Sequence, residues 1–344
     1  MESEQVLQGK NDTGGEKMSQ RRNRVGKKVI FILLFTLAFL SLLPYVIPFG
    51  TPEHQVSAEE IAYENSSFFL VDGENIHYRL WEPEQDLGGN VLFVHGLAGS
   101  TFSWRHNVMP LVEEGYRVMA VDLPGFGLSD RGPGTADSEK WIEQLFSLTA
   151  YIEEDSMWHL VGHSMGGGVV TAMSLEKPEK ASSLALVCGA VYPPPFPRPF
   201  MGLMQLPPIQ RWVGLMVSRG LTTPDRVADL LVSAYGRPPT PEEVDGYYLP
   251  LTIEGTEVTM MELNTGATLN MAFTLAERLD QVKTRAICIW GEKDTWVPLA
   301  QGERLAGDLP WSELVVIPEA AHCPMETHAL EFNEILLNFL RKNS

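Results

Sequence analysis

Leu160-Val161-Gly162-His163-Ser164-Met165-Gly166-Gly167-Gly168 is the stretch that decides the fold. Before it, Met157-Trp158-His159-Leu160-Val161 reads as a short apolar strand; after it, Val169 to Glu176 reads as a helix. Ser164 therefore falls at a strand-to-helix turn. A serine on so sharp a turn has a strained backbone, and side chains two positions either side would collide, so glycines at 162 and 166 suit the geometry. The turn lifts the hydroxyl clear of the sheet. It also aims the Met165 amide, at the start of the next helix, at any charge that develops beside Ser164.

Working outward, Asn90 to Val94 is a buried strand that ends in His95-Gly96-Leu97-Ala98-Gly99. Arg117 to Asp122 is a second, followed by Leu123-Pro124-Gly125-Phe126-Gly127-Leu128-Ser129-Asp130. Phe102 to Glu114 has helical spacing interrupted at Pro110, and Ser138 to Glu153 is another helix. Later strands are expected at Ser183 to Cys188, Ala286 to Trp290 and Leu314 to Ile317, with a closing helix from Ala329 to Leu340. Phe68 to Val71 and Ile76 to Trp81 read as a hairpin turning at Asp72-Gly73. Strands that are apolar throughout and alternate with helices predict an α/β fold, a mostly parallel sheet covered on both faces.

The alternation breaks between residues 191 and 270, where Pro, Met and aromatic residues accumulate and helical pieces show at Ile209 to Val217 and Arg226 to Ala234. An excursion of that length is expected to be a lid over the carboxyl ends of the strands, inserted in a core of residues 67–190 and 271–344. Phe200, Met201, Met204, Leu206, Trp212 and Met216 are its candidates to face a pocket or a bilayer.

Residues 1–28 form a polar tail whose end is basic, with Arg21, Arg22, Arg24, Lys27 and Lys28. Residues 29–49 carry no charge and are long enough, at helical rise, to cross a hydrocarbon core of about 30 Å. They read as a transmembrane anchor. The basic cluster would face the cytoplasm and place residues 50–344 outside it, with 50–66 as a linker. A cleaved signal peptide fits less well, because the small-residue site Val56-Ser57-Ala58 lies far past the apolar run.

The net charge of -18 excludes a nucleic-acid partner, since phosphate recognition needs clustered Lys and Arg. Cys188, Cys288 and Cys323 are too few and too scattered for a disulfide framework or a zinc site.

From about Ser67 onward the chain resembles the α/β-hydrolase superfamily. The matching pieces are His95 to Gly99, Asp122 to Asp130, Gly162-His163-Ser164-Met165-Gly166, Gly291-Glu292-Lys293-Asp294 and Ala321-His322. Each is weak alone; in this order they are specific. The resemblance implies a catalytic triad in the order Ser164, Asp294, His322: nucleophile, orienting carboxylate, and general base then acid. It also implies an oxyanion hole made by the amides of Leu97 and Met165. His95 and His163 are expected to shape loops, Asp122 and Asp130 to organise a turn, and Glu326 to sit favourably at a helix start.

The function implied is a serine hydrolase acting through an acyl-enzyme on carboxylic esters, with lipid-like esters favoured by the anchor and greasy lid. No metal or organic cofactor is required. A serine at 164 argues against relatives with an aspartate nucleophile. Carbon-carbon bond hydrolases, peptidases, acyltransferases and a non-catalytic membrane-tethered binding protein remain open alternatives, as does the oligomeric state.

Overall fold

The structure is a computed structural model; it describes residues 24, 26–50, 55–87, 89–193, 202–203, 205–220, 223–263 and 266–343. Strands β1 (Ser66–Val71) and β2 (Glu74–Trp81) form an antiparallel hairpin. Its turn places Asp72 and Gly73 at φ 52° and 81°, the doubly positive pair that a two-residue hairpin requires. β3 (Gly89–Val94), β4 (Tyr116–Val121), β5 (Trp158–His163), β6 (Ala181–Val187), β7 (Ala286–Gly291) and β8 (Ser312–Ile317) follow. The eight strands lie in the order β1-β2-β4-β3-β5-β6-β7-β8, parallel from β4 onward.

Side-chain alternation explains why continuous apolar strands suit this sheet. Leu92 and Val94 of β3 join one core with Trp141, Leu145, Val169 and Leu305, whereas Val91 and Phe93 join the opposite core with Leu111, Phe332 and Leu336. Both faces are dry because helices cover both. Helix α1 (Gly26–Val46) precedes the sheet. Between β3 and β4 lie a 3-10 turn, Thr101–Trp104, and α2 (Val108–Glu113). The interruption expected at Pro110 falls instead before Val108, and Pro110 sits in the first turn of α2, where its missing N–H would be unpaired anyway. Helices α3 (Ser138–Ile152) and α4 (Met165–Glu176) flank β5.

The helices with described bounds in the excursion between β6 and β7 are α5 (Pro207–Gly220), α6 (Pro224–Tyr235), α7 (Pro241–Leu251), α8 (Thr256–Glu262) and α9 (Gly266–Ala276). Helix α9 crosses residue 270 and packs on α3 and α4, in the layer beside the sheet. Helices α10 (Leu299–Asp308), α11 (Pro324–Thr327) and α12 (Ala329–Arg341) complete the chain. Arg131 ties α7 and α8 to the loop after β4, donating to the Pro250 carbonyl at 2.6 Å, to Thr256 Oγ1 at 2.9 Å and to the Gly127 carbonyl.

Helix α1 is apolar and almost wholly exposed along its length, long enough to cross a membrane. Its far end is not free. Pro44 and Pro48 remove N–H donors there, and side chains of α5 take the carbonyls: Arg211 bonds Pro44 O at 3.2 Å, Trp212 Nε1 bonds Leu40 O at 3.0 Å, and Arg219 bonds Pro48 O at 3.3 Å. The Arg211 guanidinium also lies 3.6 Å over the Phe49 ring, and the Gly50 amide donates to Ser218 Oγ at 3.1 Å. The expected linker therefore begins on the insertion. Leu206, just before α5, and Met216 on it are exposed; Phe200, Met201 and Met204 lie outside the described residues.

Candidate active site

Ser164 caps the N-terminus of α4 at φ 49°, ψ -115°, a conformation that costs a non-glycine residue about 1–3 kcal/mol. Neighbours hold it there. Its amide donates to the Val187 carbonyl at 2.9 Å, and its own carbonyl accepts from Ala190 at 2.8 Å and Gly167 at 2.9 Å. The glycines answer to crowding: a Cβ at Gly162 would stand 2.3 Å from the Gly166 carbonyl oxygen, and one at Gly166 would stand 2.4 Å from that of Val94.

Asp294 and His322 arrive from the loops after β7 and β8. Asp294 Oδ1 accepts the amides of Trp296 at 2.8 Å and Val297 at 3.0 Å, which leaves Oδ2 for His322 Nδ1 at 2.8 Å. Both side chains are buried, and Trp296 stacks on the imidazole with centroids 5.3 Å apart. A carboxylate partner makes Nδ1 the protonated nitrogen of a neutral imidazole and leaves Nε2 free to take a proton. Ser164 and His322 line the same cavity.

Two further histidines fix this frame. His163 Nε2 donates to the His322 carbonyl at 2.9 Å, and burial, reinforced by the neighbouring His322, holds its pKa well below the usual value. His95 Nε2 accepts the Leu123 amide at 3.0 Å, so its proton sits on Nδ1 and goes to the Gly96 carbonyl at 2.7 Å. Because a trans peptide points its C=O and N–H in opposite directions, fixing Gly96 O turns the Leu97 amide the other way. Leu97 and Met165 both line the cavity, and among the described residues neither amide has a hydrogen-bond acceptor.

Cys188 closes the base of the site at φ 46°, with its sulfur, an Asp294 oxygen and a His322 nitrogen all within 4.8 Å of one another. Burial, with Asp294 beside it, pushes its thiol pKa well up, the opposite of what a metal-ligating thiolate needs. His328 bonds its neighbour Thr327 and stays outside the cavity.

Asp122 and Asp130 organise turns. Asp122 takes the amides of Thr101 at 2.6 Å and Leu128 at 2.7 Å as well as His77 Nδ1 at 2.7 Å; Asp130 takes the Asn75 amide at 2.7 Å. His77 Nε2 contacts Ser66 Oγ at 2.7 Å, so the chain holds a second Ser-His-Asp relay. Neither Ser66 nor His77 lines the cavity, and the Ser66 oxygen already accepts the Tyr63 amide.

The cavity holds about 600 Å³ above Ser164. The insertion supplies Val227, Leu230, Leu231, Ala234, Leu251, Met260 and Leu263 to its walls, and among the described residues no Arg or Lys lines it.

A family model described as "Alpha/beta hydrolase family" matches residues 91–335. The chain belongs to the alpha/beta hydrolase family. This hydrolase is 30% identical over 79% of its length to the uncharacterized hydrolase YugF of Bacillus subtilis, covering 97% of that protein. It is 28% identical over 80% of its length to 2-hydroxy-6-oxononadienedioate/2-hydroxy-6-oxononatrienedioate hydrolase 1 of Pseudomonas putida, again covering 97%. Among solved structures it is similar in fold to a membrane phospholipase A, with a TM-score of 0.62 and 21% identity over 93% of this chain and 99% of that one.

Glu326 lies in the first turn of α11, at a helix start as expected, and does more there. It is buried, and its carboxylate gathers Arg105, Tyr235 at 2.7 Å and Tyr247 at 2.5 Å. It joins the hydrolase core to α6 and α7. A Glu at a helix start carried no sign of partners 79 to 221 residues away.

Proposed function

We propose that this hydrolase cleaves neutral carboxylic esters through an acyl-enzyme at Ser164. Ser164 Oγ attacks the ester carbonyl carbon while His322 Nε2 takes its proton, and Asp294 stabilises the imidazolium through Nδ1. The amides of Leu97 and Met165 face the oxyanion; each such donor is worth about 10²–10³ in rate. His322 then returns the proton to the departing alkoxide. Water attacks the acyl carbon with His322 as base, and collapse of the second oxyanion frees the acid and Ser164.

The observation that carries the ester reading is the wall of the cavity. The P. putida relative is named for dioate substrates, which bring two carboxylates, and burying such charges is costly without cationic partners. The cavity has apolar walls and, among the described residues, no lining Arg or Lys, which favours an uncharged substrate. Carbon-carbon bond hydrolysis is the second reading, favoured by the near-complete coverage of that relative.

The anchor belongs to the same proposal. An exposed apolar helix of 21 residues, a basic flank before it and the likeness to a structure named as a membrane phospholipase support a single span with the N-terminus cytoplasmic and the catalytic domain outside. The lid role expected of residues 191–270 is part of it, supported by the side chains that α6, α7 and α8 place on the cavity wall.

The test is labelling by a fluorophosphonate probe on wild type and Ser164→Ala, then turnover of uncharged esters against 2-hydroxy-6-oxo-dienoates. Labelling that needs Ser164, with ester turnover, is expected. Turnover of the dienoates alone replaces the ester reading with the carbon-carbon one.

A further inference from the structure

Ser103 and Tyr247 form a polar corner in an otherwise apolar stretch of the cavity wall. The Tyr247 hydroxyl donates to Glu326 Oε1 at 2.5 Å, while Glu326 Oε2 takes Tyr235 and Arg105. Burial opposes the Arg105 charge, but Glu326 beside it more than compensates and raises its pKa. Glu326 is therefore an acceptor for all three. A tyrosine has one hydroxyl proton, and here Glu326 has it, so the 2.9 Å contact between Ser103 Oγ and Tyr247 is donated by Ser103.

That order fixes what Ser103 offers. Its proton points at Tyr247, and among the described residues nothing donates to its lone pairs. Gly99 keeps the approach open, since a Cβ there would stand 3.1 Å from Ser103 Oγ. The charges behind the corner balance, Arg105 and Arg237 against Glu326 and Glu243.

We infer that Ser103 Oγ, oriented by Tyr247 and Glu326, is an acceptor-only subsite for a hydroxyl group on an uncharged ester, carried on either its alcohol or its acyl part. This rests on the ester reading and adds the substrate class to it. A substrate hydroxyl gains a hydrogen bond there; an aliphatic chain buries the Ser103 oxygen unpaired.

The experiment uses the full chain in detergent and two matched pairs: glycerol monobutyrate against ethyl butyrate, and methyl 6-hydroxyhexanoate against methyl hexanoate. Wild type is expected to favour the hydroxylated member of one pair by about 3- to 10-fold in kcat/KM. The preferred pair identifies which part carries the hydroxyl. Ser103→Ala removes the acceptor and should bring that ratio towards one. No preference in wild type, or an unchanged ratio in Ser103→Ala, overturns the subsite and leaves the ester reading standing. If Ser164 labels but no ester turns over, the ester reading fails by itself. The subsite is then judged by protection of Ser164 from the probe: 1-O-butylglycerol protecting better than butyl methyl ether supports it, and equal protection overturns it.

Discussion

His163 Nε2 donates to the carbonyl oxygen of His322 at 2.9 Å, so the residue beside Ser164 grips the backbone of the histidine proposed to activate it. The two motifs lie 159 residues apart in sequence and are locked to each other by one bond. Replacing His163 by Phe should displace the His322 loop while leaving all three triad side chains present. A misplacement of about 1 Å costs about 10²-fold in rate, so kcat/KM on the preferred substrate is expected to fall by that order. Activity within twofold of wild type would show that the loop is held by other contacts.

Asp294→Asn keeps the size of the side chain and both backbone donors to Oδ1 but presents the wrong partner to His322 Nδ1. The imidazole then loses the tautomer that leaves Nε2 unprotonated. A fall in kcat of about 10⁴-fold, with folding retained by circular dichroism, is the expected result.

Acid should destabilise the fold through its buried neutral histidines. The pKa values of His95 and His163 are both lowered, in each case chiefly by burial. A histidine whose folded pKa lies below its unfolded value of about 6.5 contributes stability in full above that pH, and loses it as pH falls towards the folded pKa, because the unfolded chain binds the proton first. Each contributes a slope of up to about 1.4 kcal/mol per pH unit below about pH 6.5. Thermal unfolding at pH 7.5 and 5.5 should show a lower midpoint at the acid value, with a smaller difference in His163→Phe.

Gly166→Ala places a methyl against the backbone of β3, with the Val94 and His95 carbonyls at 2.4 and 2.5 Å, where no side chain can swing aside. Overpacking of this kind costs about 1–3 kcal/mol or more. Loss of folded protein, or a midpoint lowered by several degrees together with loss of probe labelling, is expected.

Removing residues 1–54 should release the hydrolase from the membrane fraction without abolishing labelling of Ser164, because every described residue lining the cavity comes from Gly96 onward. Carbonate extraction separates the cases: full-length chain should stay in the pellet, and the shortened chain should not. A full-length chain that extracts freely would overturn the anchor.

The strands were legible because burial on both faces leaves a contiguous apolar run, as in Asn90 to Val94 and Ala286 to Trp290. The turn at Ser164 was legible because close backbone approach admits only glycine at 162 and 166. Helices α7, α8 and α9 were not read, since their spacing is less regular and their packing on α3, α4, α5 and α6 has no local signature. Arg211, Ser103 and Tyr247 look like ordinary polar residues in sequence. Their roles come from partners 167, 144 and 79 residues away.

The capped carbonyls of Leu40, Pro44 and Pro48 leave no slack between the apolar helix and α5 of the insertion, which packs on α8 beside the cavity. A span ending on a floppy leader would let the enzyme sample a hemisphere of solution. The proposed span, ending on Arg211, Trp212 and Arg219, would confine it to a thin sheet beside the leaflet and make substrate capture a two-dimensional search. The quantity that sets turnover is then the mole fraction of substrate in the lipid, and diluting the bilayer with inert lipid should slow the enzyme even at constant bulk concentration.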